Sequence, residues 1–119
     1  MDQSILQPDS ELVLLASAAR TSEATSDGKA IGPTGLAEAV VVVTSVTSTP
    51  TITAHIQQSS DDAVADAYAD VAVSVAITAV GVYRIPFRAT EKYVRAVVAH
   101  GDGDSITYRV FVQPAGGKA

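Results

Sequence analysis

The chain has no cysteine and no tryptophan in its 119 residues. The first absence excludes disulfides, zinc–thiolate and iron–sulfur sites, and thiol nucleophiles. Aromatic residues make up only 5% of the sequence. Basic residues are also few, eight Lys and Arg against thirteen Asp and Glu, for a net charge of −5. A free-standing nucleic-acid binder usually has the opposite sign, because neutralising phosphates drives its affinity. Long apolar runs are missing too. None is longer than Ala39–Val43, far short of the roughly 18 residues a spanning helix needs. Val71–Tyr83 is greasy but interrupted by Ser74, Thr78 and Gly81, and it reads as strand material. Residues 1–9 have neither a basic stretch nor an apolar centre, so no signal peptide is expected. The reading is of a protein that meets neither nucleic acid nor membrane.

What is present is abundant Ala and Val. Hydrophobic residues are 47% and charged residues 18%, a balance that belongs to a folded chain. Its length predicts one domain, with about 6,100 Å² of surface when folded against about 17,700 Å² unfolded. A core of that size leaves little room for a large cleft.

Alternation of apolar and polar residues is the dominant pattern, and it predicts strands. In Glu11–Ala19, Leu12, Leu14, Ala16 and Ala18 share a face. Thr21–Gly35, rich in Ser, Gly and charge, reads as a long loop. Glu38–Thr47 carries four consecutive valines, Val40–Val43, as expected of a strand buried on both faces. After Pro50, Thr51–Gln58 puts Ile52, Ala54 and Ile56 on one side and Thr53, His55 and Gln57 on the other. Ser59–Asp62 is a turn cluster. Ala63–Val80 is ambiguous: its alanines favour helix by propensity, but its apolar residues recur at every second position. The period predicts two strands, 64–70 and 72–78. Gly81–Phe87 is a further strand, placed at an edge or bulge by Pro86. Tyr93–Ala99 and Ser105–Gln113 flank the turn His100–Asp104 and predict a hairpin. The fold class expected is all-β, an antiparallel β-sandwich of about seven or eight short strands over residues 11–113. An N-terminal arm, 1–10, and a C-terminal tail, 114–119, flank it.

Few constellations carry chemistry. His100, Asp102 and Asp104 supply one imidazole and two carboxylates on a tight loop, a weak candidate for a metal site. The loop is no EF-hand: counting from Asp102, position 6 is Thr107 and position 12 is Gln113. A turn built on Gly and Asp explains the same residues. Gly28-Lys29-Ala30 lacks the Ser or Thr and the upstream Gly of a phosphate loop, and there is no G-x-S-x-G elbow. His55 reads as an exposed or interface histidine. Asp61, Asp62, Asp66 and Asp70 read as a solvated acidic face. Four of the eight bases, Arg84, Arg88, Lys92 and Arg95, fall within twelve residues and interleave with Tyr83, Phe87 and Tyr93. Arg and Tyr together suit a protein interface, and these four bases are the candidate contact residues. No enzyme activity and no cofactor are expected.

Several segments together resemble a family of small virion-associated proteins of tailed bacteriophages. They are Leu14–Thr21, Val40–Thr51 with Ile56-Gln57, Tyr93–Val98 and, most distinctively, His100-Gly101-Asp102-Gly103-Asp104-Ser105-Ile106-Thr107-Tyr108. The resemblance covers roughly residues 12–113 and brings no catalytic residues with it. It implies a β-sandwich virion component that binds the outer surface of a capsid as a decoration or cement protein. Its partners would be the major capsid protein and copies of itself, a trimer being one candidate order. It would assemble in the host cytoplasm and reside on the virion. The N-terminal arm, Met1–Ser10, would order on binding. A tail or head–tail joining component is the second expectation, and a metal- or carbohydrate-binding β-module the third.

Overall fold

The computed structural model describes residues 12–31 and 35–114. The expected arm, 1–10, lies outside the described residues, as does the expected tail apart from Pro114, which ends the last strand. Nine strands and no helix are found among the described residues: β1 (Leu12–Arg20), β2 (Ala24–Thr25), β3 (Lys29–Ala30), β4 (Gly35–Val46), β5 (Ile52–Ser59), β6 (Ala69–Val73), β7 (Gly81–Ala89), β8 (Tyr93–His100) and β9 (Ile106–Pro114). They form two antiparallel sheets. One has the order β1–β9–β4–β7; the other has the order β2–β8–β5–β6, with β3 also pairing β8. The expected β-sandwich is therefore the fold.

Period 2 decides which side chains meet between the sheets. Ala37, Ala39, Val41 and Val43 of β4 point inward with Ile85 and Phe87 of β7 and Ile106, Tyr108, Val110 and Val112 of β9. Opposite them lie Ile52, Ala54 and Ile56 of β5 and Val94, Ala96 and Val98 of β8. Alanine and valine at facing positions bring the sheets close without large side chains, so few aromatics are needed. Val40 is buried as well, on the outward side, but Val42 is half-buried and Leu36 exposed there, so β4 is covered outward only at Val40 and not along the run as its four valines predict. It is also central, between β9 and β7.

Four local expectations are corrected. In β1, bulges between Val13 and Leu15 and between Leu15 and Ala18 shift the register. Consecutive Leu14 and Leu15 are then both buried, while Ala16–Ala19 are exposed. A bulge adds a residue to one strand and so breaks strict alternation. The 21–35 loop is pinned to β8 in two places by β2 and β3. Buried Ser26 is the staple: its N–H donates to Ala96 O at 2.9 Å, and its hydroxyl accepts the Ala96 N–H at 2.9 Å.

The two strands expected at 64–70 and 72–78 are instead a loop followed by one strand, 69–73, that spans the end of the first and the start of the second. The Asp61 carboxylate accepts the N–H groups of Ala65 and Asp66, at 2.9 and 3.0 Å. The Ser59 hydroxyl accepts that of Ala63 at 3.0 Å and donates to Asp66 O at 2.6 Å. Asp62 and Ala63 adopt left-handed φ values of 57° and 68°. Side-chain acceptors thus compete successfully with a ladder, since alanines bury too little area to hold a strand down. Beyond β6 the chain keeps one bridge, Ile77 to Ile52.

The expected β8–β9 hairpin is instead an arch. β8 belongs to one sheet and β9 to the other, so residues 101–105 cross the sandwich. The β4–β5 connection, 47–51, crosses beside it. The two arches are clasped by Thr47 N–H to Ser105 O (2.9 Å), Gly101 N–H to Thr51 O (2.8 Å) and Thr49 N–H to the Asp104 carboxylate (3.1 Å). Pro86 lies on β7, an edge strand, as its missing N–H predicts.

Candidate functional site

The two outward faces differ in chemistry. On the β2–β8–β5–β6 sheet, β5 lies between β8 and β6 with Gln57 opposite both Arg95 and Asp70. A continuous polar chain follows from this pairing. The Asp70 carboxylate accepts from Gln57 Nε2 at 2.9 Å and lies 3.1 Å from His55 Nδ1. Gln57 Oε1 accepts from Arg95 Nε at 2.8 Å. The Arg95 guanidinium sits over the Tyr68 ring, 4.3 Å from its centroid, and the Tyr68 hydroxyl donates to Asp62 at 2.6 Å. Hydrogen bonds from Gln57 and then His55 hold the Asp70 carboxyl below its ordinary value. Burial first, then the Asp62 hydrogen bond, raise the Tyr68 phenol well above its own. Gly28 closes over this group: a Cβ there would run into the Tyr68 hydroxyl and the Asp62 carboxylate.

The outward face of the β1–β9–β4–β7 sheet is basic and apolar. Glu38 accepts from Arg84 Nη1 and from Gln113 Nε2, both at 2.7 Å. The Arg109 guanidinium lies over the Phe111 ring at 4.6 Å. Arg88 is exposed opposite Leu36. Where the edges of the two sheets meet, β6 and β7 flank an open groove of about 560 Å³, lined by Val73, Val75, Val82, Tyr83, Ile85 and Pro86.

The four candidate contact bases do not form one patch. Arg84 and Arg88 project from the first sheet, Arg95 projects from the second, and Lys92 lies in the β7–β8 connection over the Tyr93 ring. Interleaving along β7 and β8 looked like a cluster in sequence, but the chain changes sheets between the two strands. His100, Asp102 and Asp104 also diverge. Asp102 accepts the Asp104 N–H at 3.1 Å, and Asp104 caps the neighbouring arch. His100 turns toward the core, with Nε2 3.1 Å from the Tyr108 hydroxyl. Its Nδ1 is buried without a partner. Burial, followed by the Arg20 charge, lowers its pKa, against a weaker opposing effect of Asp102. The Tyr108 phenol is itself pushed up to about 12, chiefly by burial. No group of three metal-ligating side chains occurs among the described residues.

Sequence reasoning missed the Asp70–Gln57–Arg95–Tyr68 chain. Alternation correctly put His55 beside Gln57 on one side of β5. The missing information was that β5 pairs β6 on one side and β8 on the other.

The chain matches no protein-family model and no curated protein. Its fold is similar to that of the SPBc2 prophage-derived protein YomS, with a TM-score of 0.55 and 12% identity, covering 87% of this chain and 92% of that one. It is also similar to part of the CBM22-1–GH10 modules of the Clostridium thermocellum endo-1,4-β-D-xylanase Xyn10B, a structure complexed with xylohexaose. There the TM-score is 0.53 and the identity 12%, covering 98% of this chain but only 28% of that one. At such identity the likeness is one of fold.

Proposed function

We propose that this protein is a non-catalytic structural component of a tailed-phage particle, seated on the outside of the capsid as a decoration or cement protein. The observation that carries the reading is the likeness to a prophage-derived protein over nearly the whole of both chains, together with the sequence resemblance to virion proteins. A thin sandwich with two chemically distinct faces suits this role. Many copies on a repeating shell gain avidity without a deep pocket.

The test is co-sedimentation of purified protein with capsid shells lacking it, followed by counting copies per particle. Decoration expects saturable binding at hundreds of copies. Saturation at six or twelve would move the protein to the tail or head–tail joint, and no binding at all would remove the reading. A second reading, carbohydrate binding, is favoured by the likeness to the CBM22-containing xylanase and by the polar face around Tyr68. In this chain Arg95 already occupies one face of that ring. Calorimetric titration with xylohexaose decides: heat that disappears in Tyr68→Ala would support a sugar site.

A further inference from the structure

We propose that the outward face of the β1–β9–β4–β7 sheet is a docking surface for a second copy of this chain, and that it receives that copy's β5–β6 loop. The inference deepens the shell-bound reading and rests on it for its biological use, but the contact itself forms in free solution. It starts from the outward row of β7. Val82, Arg84, Pro86 and Arg88 are all exposed, and Leu36 stands opposite Arg88. The row runs about 20 Å at the usual strand rise. Apolar side chains stand at both ends: Val82, 57% exposed, at one, and Leu36, 61% exposed, beside Arg88 at the other. The charge along the row is basic. Arg84 and Arg88 face outward along it, with Glu38 of β4 bonded to Arg84, a surplus of one positive charge in a chain of net −5.

The complementary surface lies elsewhere on the same molecule. Between Ser59 and Tyr68 the loop carries Asp61, Asp62 and Asp66 and no base. At its tip Val64 is 86% exposed. Ser59 and Asp61 hold the loop's backbone in one shape, so little ordering is left to offset on association. An apolar tip ringed by carboxylates thus matches a basic strip with apolar ends. Opposite potentials steer such an encounter and fix its register. The broad dimensions of the molecule, 47 by 32 Å, accommodate the roughly 800 Å² per partner of an ordinary interface. Because strip and loop are different patches, two copies exchange both contacts about a two-fold axis, or each copy passes one on head-to-tail into a ring or chain.

The experiment is sedimentation velocity at about 100 μM protein, in about 0.05 M and about 0.5 M NaCl, on wild type, Val64→Arg and Arg88→Glu. Both positions are exposed, and matching circular dichroism and Tm serve as the folding control. Wild type is expected to form an oligomer at low salt that dissociates at high salt. Each variant should weaken self-association at least about tenfold. An equimolar mixture of the two variants should associate again, because the Val64→Arg loop then meets the Arg88→Glu face with opposite charges. A wild type that stays monomeric at low salt overturns the proposal, as do variants that associate like wild type. If self-association is unchanged in Arg88→Glu but retention by a short duplex DNA is lost, the face takes nucleic acid and the proposal falls. Capsid binding is read separately, so a self-associating protein that ignores capsids removes only the shell reading.

Discussion

His100 ties a single ring to the pH range over which the fold holds. Its folded pKa lies below the model-peptide value of 6.5, because burial and Arg20 disfavour the imidazolium more than Asp102 favours it. The unfolded chain therefore takes up the proton first. The sign follows: stability is full above about pH 6.5 and declines as pH falls from there through the lowered folded value. Urea midpoints measured from about pH 7.5 down to about pH 5, a span that brackets the ordinary histidine value, should fall for wild type. They should stay flat for His100→Phe, which also removes the orphaned Nδ1. Equal slopes would show that another group titrates. The carboxylates of Asp66 and Asp70, held low by Ser60 and by Gln57, act in a separate window. Their contribution is present above their ordinary value of 3.8 and disappears only as pH falls below it. Gly28 makes a steric prediction at the same scale. Gly28→Ala puts a methyl into the Tyr68–Asp62 hydrogen bond and should cost about 1–3 kcal/mol. The loss should shrink in a Tyr68→Phe/Asp62→Ala background. An equal loss there would place the strain elsewhere.

Among the elements, the β5–β6 loop shows how local chemistry overrides periodicity. Ser59 is fully buried and serves three backbone groups, accepting from Asp61 and Ala63 and donating to Asp66 O. Ser59→Ala strands the Ala63 N–H and the Asp66 carbonyl and should cost about 1–3 kcal/mol. Hydrogen exchange should show the loss of protection concentrated in residues 60–68, and protection unchanged there would contradict the hub assignment. The same loop marks where the sequence stopped being legible. Period 2 reports which face a residue occupies, and in β5 it put Ile52, Ala54 and Ile56 together on the side that is buried. It is silent on partners. It could not say that residues 101–105 arch across the sandwich, because a crossing arch and a hairpin need the same Gly-Asp turn chemistry. It could not say that Arg84 and Arg95, eleven positions apart in sequence, end on opposite faces. Nor does alternation weigh burial: Ala63, Ala65 and Ala67 keep the rhythm of a strand without enough apolar area to outweigh two carboxylates and a hydroxyl that bond the backbone directly.

For the whole molecule, connectivity decides how the fold is lost. The first strand pairs the last, and β4 pairs both β7 and β9, so each sheet closes only when distant segments meet. The inward residues of both sheets form one core cluster. Neither sheet keeps a dry face alone, since removing one exposes the whole inner row of the other. The two should therefore unfold in one cooperative transition rather than in sequence. Such non-local pairing also makes folding slow for this size, in the range of about milliseconds to seconds. The check uses one probe in each sheet. Tyr108 reports the β1–β9–β4–β7 sheet and Tyr93 the other. Hydrogen exchange resolved over β9 and β8, compared with far-UV circular dichroism in urea, should give coincident midpoints. The clasp between the arches at 47–51 and 101–105 makes the coupling specific. Asp104→Ala, which frees the Thr49 N–H, should lower both midpoints together. If only one sheet loosens, the sheets are separable units and the shared core does not bind them into one.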